Sequence, residues 1–305
     1  MASLRDIRNR ISSVKNTQQL TRAMKMVAAA KLRRAQERIF STRPYAYKIG
    51  QTIGHLKAHV DPGAHPLFEQ RPEIQTVLMV IVTADRGLAG AFNANIIKLA
   101  EQTIEQNYAE YKQSGNLLLM CIGRKGHDHF RNRDYKLVGD YRGTFDSLEF
   151  KTANNVADRL EDGYRKGEWD EVVLLYNEFK NTISQNRIAE PYLPVPAHQF
   201  VTPVMELEGS TVPDEHDGSL DYIFEPSPGA ILDMIVPQYL SFQVWRALLE
   251  SNASEQGARM VAMDNATSNA RELLKDLTLS YNRARQAAIT KELIEITSGA
   301  DALEA

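Results

Sequence analysis

The sequence lacks most of what a stand-alone chemical site would need. Of its 305 residues one is a cysteine, Cys121, which excludes an internal disulfide bond and most metal sites and is typical of a reducing compartment. Its place in an apolar run predicts a buried strand residue. The longest purely apolar runs, such as Val77–Val82 and Leu117–Ile122, are far too short to span a membrane. No charged-then-apolar signal segment opens the chain.

The seventeen glycines fall in patterns that exclude three kinds of enzyme site. No two of them lie two residues apart, so the chain has no Gly-x-Gly-x-x-Gly dinucleotide loop. No pair five residues apart precedes Lys-Ser/Thr, so there is no phosphate-binding P-loop. The pairs four residues apart enclose Thr52, Tyr141 and Arg165 but never serine, which excludes a nucleophile elbow. We therefore expect no catalytic residue, no cofactor and no small-molecule substrate.

Two short motifs remain as weak candidates for a site. The segment 85–90 (DRGLAG) follows an apolar run and precedes a helical pattern, a place where anions can bind; its structural interpretation is a tight turn. The segment 127–129 (HDH) offers three metal ligands, but adjacent side chains on a helix point apart. We expect a turn at the first motif and no metal at the second.

Proline and glycine are also missing from both ends of the chain. Residues 1–43 contain neither, and residues 238–305 contain no proline and only Gly257 and Gly299. Globular helices average about 11–12 residues, so these runs predict two unusually long helices. The second, if continuous, is on the order of 90 Å long, which is longer than a compact domain of this size is wide. We therefore expect the two ends to pair as a rod that protrudes from a globular middle.

Both ends carry an apolar period that is typical of a coiled coil. Near the C-terminus one stripe has alternating spacings of four and three: Ala270, Leu274, Leu277, Tyr281, Ala284 and Ala288. A matching N-terminal stripe consists of Leu4, Ile7, Ile11, Val14, Gln18, Thr21 and Ala28. Such a period keeps one seam toward a partner helix. The alternative interpretation is two amphipathic helices lying on a domain core.

The middle of the chain changes to a strand period. Short branched apolar runs at Ile74–Thr83, Leu117–Gly123 and Glu171–Phe179 alternate with helical stretches at 95–114 and 152–166. Strands that alternate with helices at this spacing predict a small parallel α/β sheet, with helices against both of its faces. The sheet is expected to carry the two long helices at its base.

The net charge of −3 hides an uneven distribution. Residues 1–43 hold eleven Lys and Arg against Asp6 and Glu37, whereas residues 206–225 hold seven acids and no Lys or Arg. A basic helix is compatible with nucleic acid, with an anionic membrane surface or with the solvated face of a coiled coil. No aromatic residue is interleaved in the basic run before Phe40, which weakens single-strand binding.

Four blocks of sequence resemble one known family. Residues 289–302 (ITKELIEITSGADA) are similar to the C-terminal signature of the gamma subunit of rotary, F-type ATP synthases, and residues 3–36 (SLRDIRNRISSVKNTQQLTRAMKMVAAAKLRRAQ) are similar to its first helix. Residues 83–96 (TADRGLAGAFNANI) and 254–270 (SEQGARMVAMDNATSNA) resemble the family too. The resemblance covers essentially the whole chain.

The resemblance implies an α/β fold in which long N- and C-terminal helices form an antiparallel coiled coil beside a central Rossmann-like domain. We expect a first helix over 1–60, an α/β domain over 73–197, an acidic insertion or foot loop over 198–225 and a last helix over 227–305. The insertion is longer than in the simplest bacterial members, and it has no cysteine, so the thiol switch of some photosynthetic relatives cannot operate here.

The implied function is that of a non-catalytic rotor shaft which couples a membrane ring to the catalytic beta subunits. Partners would be the alpha, beta and epsilon subunits and the c ring, with no nucleic acid, on the cytoplasmic face of a bacterial inner membrane (or an organellar one for a matured chain). The alternative is an α/β module with a basic coiled-coil arm that binds nucleic acid or a membrane surface.

The family's contact residues carry over by motif position. Those expected to meet the beta subunits are Met24, Arg259, Gln286, Thr290 and Glu292. Those expected to meet epsilon or the membrane ring are Tyr222, Phe224 and Glu225. The basic first helix would meet acidic loops of surrounding subunits. The alternative for Tyr222 and Phe224 is one face of a core strand.

Overall fold

A computed structural model describes residues 4–57, 65–69, 71–196, 202–204, 225 and 227–304. The described elements are, in chain order, α1 Leu4–Lys57, β1 Val77–Val82, α2 Phe92–Asn107, α3 Ala109–Ser114, β2 Leu117–Ile122, α4 Arg124–Arg131, β3 Lys136–Leu137, α5 Phe150–Arg165, β4 Glu171–Phe179, β5 Gln185–Leu193 and α6 Pro228–Glu304.

Two very long helices open and close the described chain, as predicted. Helix α1 has 54 residues and α6 has 77. Each continues through one proline, Pro44 in α1 and Pro237 in α6, although a proline removes one backbone hydrogen bond and usually ends or kinks a helix. Pro237 lies beside Val236, which is buried in the core on one face of the sheet, so tertiary packing offsets that cost in α6.

The sheet has five strands in the order β3-β2-β1-β4-β5. Strands β3, β2, β1 and β4 are parallel, and β5 pairs antiparallel with β4. The predicted strands are confirmed as β1, β2 and β4, within a mixed α/β fold. The predicted parallel sheet carries one further strand at its edge, β5, which is antiparallel because it returns directly from β4 through the turn at Asn181–Ser184.

Both faces of the sheet are covered, as the apolar runs predict. Alternate residues of β1, Leu78, Val80 and Val82, belong to a core with α5, the end of α1 and the start of α6. The others, Val77, Met79 and Ile81, belong to a second core with α2 and Phe130 of α4. Every residue of β1 is therefore buried, which is why this strand reads as one continuous apolar run.

Cys121 lies in the second core, as expected for a buried strand residue. Burial raises the pKa of its thiol to about 12, so the thiol stays protonated and unreactive at neutral pH.

The chain folds as two compact units. One is built from residues 1–28 and 260–305, and the other from residues 29–259. The second unit contains the sheet together with the later part of α1 and the first part of α6. Among the described residues, no helix is both long enough and apolar enough to cross a membrane.

Two helical glycines make a matched test of the packing. A Cβ atom at Gly163 of α5 would lie 2.0 Å from Cζ2 of Trp169, which is itself buried, whereas a Cβ atom at Gly54 of α1 meets no described atom within 4 Å. We expect Gly163→Ala to lower the free energy of unfolding by about 1–3 kcal/mol through overpacking. Gly54→Ala should raise it by about 0.5–1 kcal/mol through its better helix propensity.

Denaturant unfolding of the purified chain, followed by circular dichroism and tryptophan fluorescence, measures both effects. A Gly163→Ala variant as stable as the parent chain would contradict the tight approach of α5 to Trp169.

Candidate functional site

The first unit is an antiparallel pair formed by the start of α1 and the end of α6. Arg8 Nη2 donates to Tyr281 Oη at 3.0 Å, and Lys25 Nζ donates to Asp264 Oδ1 at 2.6 Å. Between these two links the chain advances 17 residues along α1 and goes back 17 residues along α6. The two helices therefore run in opposite directions in a constant register.

The seam of this pair is the one that the spacing predicts. Every residue of the two predicted stripes is buried or half-buried, from Leu4 to Ala28 on α1 and from Ala270 to Ala288 on α6. The seam also contains a buried polar link, in which the Thr21 and Thr267 hydroxyl oxygens are 2.8 Å apart. Small side chains let the helices approach closely but bury little apolar area.

The last turns of α6 have no partner among the described residues. The register of the pair places Arg285 opposite Leu4, the first described residue of α1. Beyond this level four large apolar side chains are exposed: Ile289 at 50%, Leu293 at 57%, Ile294 at 58% and Ile296 at 69%. Exposed apolar side chains at this density are typical of a surface that another protein covers.

Four of the five predicted beta-subunit contacts lie in this unit. Met24 is half-buried on α1, and Gln286, Thr290 and Glu292 are exposed on α6. Thr290 donates its hydroxyl to the Gln286 carbonyl at 3.0 Å, so these two residues share one helix face. Glu292 is two residues further on and therefore points to another side. Nine of the eleven basic residues of 1–43 are exposed, Lys25 is half-buried, and Arg43 has no described side chain.

Arg259 belongs to the second unit and is already engaged within the chain. Its Nη1 donates to the Gly87 carbonyl at 2.6 Å, and its Nη2 donates to Glu255 Oε1 at 2.5 Å. The side chains of Arg259 and Glu255 are 12% and 7% exposed. Burial raises the pKa of Glu255, although the facing guanidinium acts in the opposite direction. Arg259 thus ties α6 to the turn that follows β1.

That turn is the DRGLAG motif, and Asp85 organises it. The buried Asp85 carboxylate accepts three backbone N–H groups: Arg124 at 2.9 Å, Gly143 at 2.7 Å and Phe145 at 2.9 Å. These donors begin α4 and belong to the loop after β3. The motif therefore joins three loops at the carboxyl edge of the sheet, which fits its structural interpretation as a turn. The Asp85 carboxylate is thus fully engaged by backbone N–H groups within the chain, and sequence spacing does not reveal these donors.

Gly123 shows why these loops need a glycine. Its φ is +97°, and a Cβ atom there would lie 2.0 Å from the Thr83 carbonyl oxygen. No side chain fits that space, and a positive φ of this size strains any other residue. The loops after β1 and β2 are therefore in direct backbone contact.

The histidines of the HDH motif do not converge on one point. His129 Nε2 lies 2.9 Å from Glu101 Oε1, while the buried His127 Nδ1 has no hydrogen-bond partner among the described residues. No group of three His, Cys, Asp or Glu side chains in the described part of the chain is arranged to hold a metal ion.

The predicted foot contacts are largely beyond the structure. Tyr222 and Phe224 lie outside the described residues, as does most of the acidic insertion 198–225. Glu225 is described and is exposed, so its carboxylate is accessible to a partner.

Comparison with known proteins points to one family. The model of the family described as "ATP synthase" matches residues 3–303. The ATP synthase gamma chain of Salinibacter ruber is 61% identical over 306 residues, covering 100% of this chain and 99% of the relative. That of Chloroherpeton thalassium is 50% identical with the same coverage. These relatives do not support the alternative of a nucleic-acid or membrane-binding arm.

Solved structures agree in fold. A chain of the central stalk and c-ring structure of the Tetrahymena thermophila mitochondrial ATP synthase is 26% identical with a TM-score of 0.57; the match covers 81% of this chain and 99% of that one. A chain of the Euglena gracilis mitochondrial ATP synthase rotor has a TM-score of 0.63 at 23% identity and covers 94% of this chain and 98% of that one. The second likeness concerns the fold alone.

Replacing the Asp85 carboxylate tests its role at the sheet edge. In Asp85→Asn an NH₂ group faces a backbone donor, so we expect the free energy of unfolding to fall by about 1–3 kcal/mol. Amide hydrogen exchange should also quicken at Arg124, Gly143 and Phe145. Asp146→Asn is the matched control: it removes only the exposed ion pair with Arg86 and should cost about 0–1 kcal/mol. Equal losses in the two variants would show that Asp85 does not hold the loops.

Proposed function

The chain belongs to the ATP synthase gamma chain family, and from this premise we propose that it is the central rotor shaft of a proton-translocating ATP synthase. The gamma chain is a non-catalytic subunit. The observation that carries the proposal is the antiparallel pair of α1 and α6, which ends in a single helix with exposed apolar side chains. Such a pair can stand inside a ring of other subunits and be turned.

The mechanism that we propose follows from asymmetry. A single helix pair inside a ring of three alpha and three beta subunits presents a different face to each beta subunit, so the three nucleotide sites cannot be equivalent. Turning the pair then moves each site through its states. Because such coupling is reciprocal, nucleotide affinity depends on rotor angle, and rotor angle depends on nucleotide occupancy.

The end of α6 suits the top of this ring. Ile289, Leu293 and Ile296 share one face of the helix at spacings of four and three, and Ile294 points to another side, so an apolar sleeve would have to cover more than one side of this tip. The side chains that follow Thr297 are small or short as far as Ala302. Contacts that are apolar and non-directional resist rotation less than hydrogen bonds to fixed partners would.

The contacts with the beta subunits are proposed at Met24, Arg259, Gln286, Thr290 and Glu292. The exposed side chains on α6 are free to meet partners on more than one side of the helix. Arg259 uses two of its five N–H donors on Gly87 and Glu255, which leaves three donors for a beta carboxylate. The exposed basic residues of α1 would face acidic loops of the ring, and such charges steer and orient partners at long range.

The other proposed partners are the epsilon subunit and the c ring. We propose that Tyr222, Phe224 and Glu225 meet the epsilon subunit or the c ring, since aromatic side chains beside an acid and a proline resemble the anchors that dominate interfaces. The subunit would then be peripheral to the membrane, on the cytoplasmic face of a bacterial inner membrane, or on an organellar inner membrane for a matured chain.

Met24→Lys tests the contact between α1 and the ring. The added ammonium group would pair with acidic beta loops and hold the rotor too tightly, so we expect ATP hydrolysis to persist while fewer protons are pumped per ATP. The measurement is proton pumping and hydrolysis in inverted membrane vesicles.

Met26→Lys is the control for that variant. Met26 lies on the same helix about 200° away and is 62% exposed, so Met26→Lys adds the same charge on another face and should uncouple the complex less than Met24→Lys. If Met24 only filled the seam, Met24→Lys would instead lower the stability of the chain with normal pumping per assembled complex. That result would reject the contact.

Truncation tests the shaft itself. Ending the chain after Gly257 removes the α6 half of the helix pair and leaves Leu4, Ile7 and Ile11 without a seam. We expect such complexes to lose coupling between hydrolysis and pumping. Deleting only 301–305 removes few large side chains and should leave turnover and pumping in place. Purified chain alone should hydrolyse no ATP above background. Full coupling by the long truncation, or robust hydrolysis by the isolated chain, would overturn the proposed function.

A further inference from the structure

A stripe of polar side chains on α6 is buried against the β4–β5 hairpin. The stripe consists of Gln243, Arg246, Glu250 and Ser254, which share one face of the helix at spacings of three and four residues. All but Gln243 are buried, as are the hairpin residues Tyr176, Asn177 and Glu190. The stripe and the hairpin belong to the same compact unit.

Arg246 is the centre of this contact. Its Nη2 donates to both Glu190 carboxylate oxygens, at 2.7 and 2.9 Å, and its Nη1 donates to Tyr176 Oη at 2.6 Å. Tyr176 in turn donates to Glu190 Oε2 at 3.1 Å. The Arg246 and Glu190 side chains are 5% and 4% exposed. Burial alone would lower the pKa of Arg246, but the facing Glu190 carboxylate raises it well above the usual value, so the guanidinium stays charged.

Two further bonds continue the contact along the helix. Glu250 Oε2 accepts the backbone N–H of Phe179 at 3.0 Å, and Ser254 donates its hydroxyl to the Asn177 carbonyl at 3.1 Å. Three successive levels of one helix face, spaced by four residues, are therefore bonded to the hairpin.

Stability alone does not explain this arrangement. Replacing a buried ion pair by packed apolar side chains is often neutral or stabilising, because two charges must be taken out of water. The region even contains two buried groups without a hydrogen-bond partner in the described structure, Asn177 Nδ2 and Ser251 Oγ. Meanwhile α6 already packs on the same face of the sheet through Leu240, Val244 and Leu248.

What the polar stripe adds is direction. Apolar contacts tolerate small rotations and slides of a helix, since the hydrophobic effect is non-directional. A planar guanidinium bonded to a carboxylate and a hydroxyl accepts only one orientation. Bonds at three levels therefore fix both the rotation of this part of α6 about its own axis and its position along that axis.

We propose that Arg246, Glu190 and Tyr176, supported by Glu250 and Ser254, form the joint that transmits torque between α6 and the α/β domain. The inference rests on the proposed rotor function, because a helix that is turned at one place must be held at another. Arg246 is in this sense a positioning residue: it is buried within its own unit and acts by fixing the angle of the helix.

The test replaces the joint by apolar groups of similar size, Arg246→Met, Glu190→Leu and Tyr176→Phe together, in the assembled complex in membrane vesicles. We expect the variant chain to unfold at the parent temperature or above and the complex to hydrolyse ATP. The protons pumped per ATP should fall, most of all against an opposing proton gradient, because the helix then turns without carrying the domain with it.

The control is Val244→Ala, on the same helix and sheet face. It leaves a small cavity, so it should lower the unfolding temperature and yet keep the parent pumping ratio per assembled complex. If Arg246 served stability alone, the pumping ratio would instead fall with the unfolding temperature: it would fall in Val244→Ala and stay at the parent value in the triple variant. Parent-like coupling of the triple variant would overturn the joint, and it would leave the rotor function standing as long as truncation after Gly257 still uncouples the complex.

A second variant decides the matter if the triple variant does not assemble. Ser254→Ala removes only the hydroxyl bonded to the Asn177 carbonyl and preserves the shape of the site. We expect a smaller loss of pumping in the same direction, at unchanged hydrolysis. Unchanged pumping by Ser254→Ala against the same gradient would count against the joint.

Arg246→Lys keeps the charge but not the planar geometry. Its pumping ratio should lie between those of the parent chain and the triple variant.

Discussion

The packing of the first part of α6 on one face of the sheet is the contact on which the second unit depends. Leu232, Val236, Leu240, Val244 and Leu248 recur at spacings of four and complete the core with β1, β4 and α5. Without this stripe, the alternate residues Leu174 and Tyr176 of β4 would face water on a sheet that is otherwise covered on both sides. The long helix is therefore part of the domain core along these turns, and its length cannot be separated from the fold.

The same helix occupies the place where an open α/β sheet usually binds a ligand. In open α/β sheets, ligands bind at the carboxyl ends of the strands where the strand order reverses, which here is between β1 and β4. That place is filled by the chain itself. Ala258 packs on Ala84, Ala89 and Phe92, and Arg259 bonds to the Gly87 carbonyl. The switch point that binds a nucleotide in other α/β folds is occupied here by contacts to α6.

The sequence predicts correctly those elements that depend on the spacing of neighbouring residues. The seam residues, the strands β1, β2 and β4 and the buried Cys121 follow from periodicity, because each is set by the side chain's own spacing. It missed β5, whose run is broken by polar residues and by Pro191, and the two-residue β3. It also missed the stripe around Arg246 and the bonds of Asp85, since a buried charge is recognised only when its partner, far away in sequence, is known. Helix α6 continues through Pro237 for the same reason, since distant packing outweighs local propensity.

The helix pair of the first unit is held by a seam that buries little apolar area. Several of its side chains are small or polar, namely Gln18, Thr21 and Ala28 on α1 and Ala270, Ala284 and Ala288 on α6. Its surface links are weak as well: the side chains of Lys25 and Asp264 are 40% and 54% exposed, and such pairs contribute about 0–1 kcal/mol. A static two-helix dimer would use larger apolar side chains at these positions. The Ala, Thr and Gln residues of the seam instead allow close approach, while large apolar residues such as Leu20 and Val27 lie on the outside. Such a pair depends on surrounding protein for part of its stability, because binding that favours the paired state adds to it by mass action. The composition of the seam and the exposed apolar end of α6 thus have one cause, a helix pair whose packing is completed by its partners.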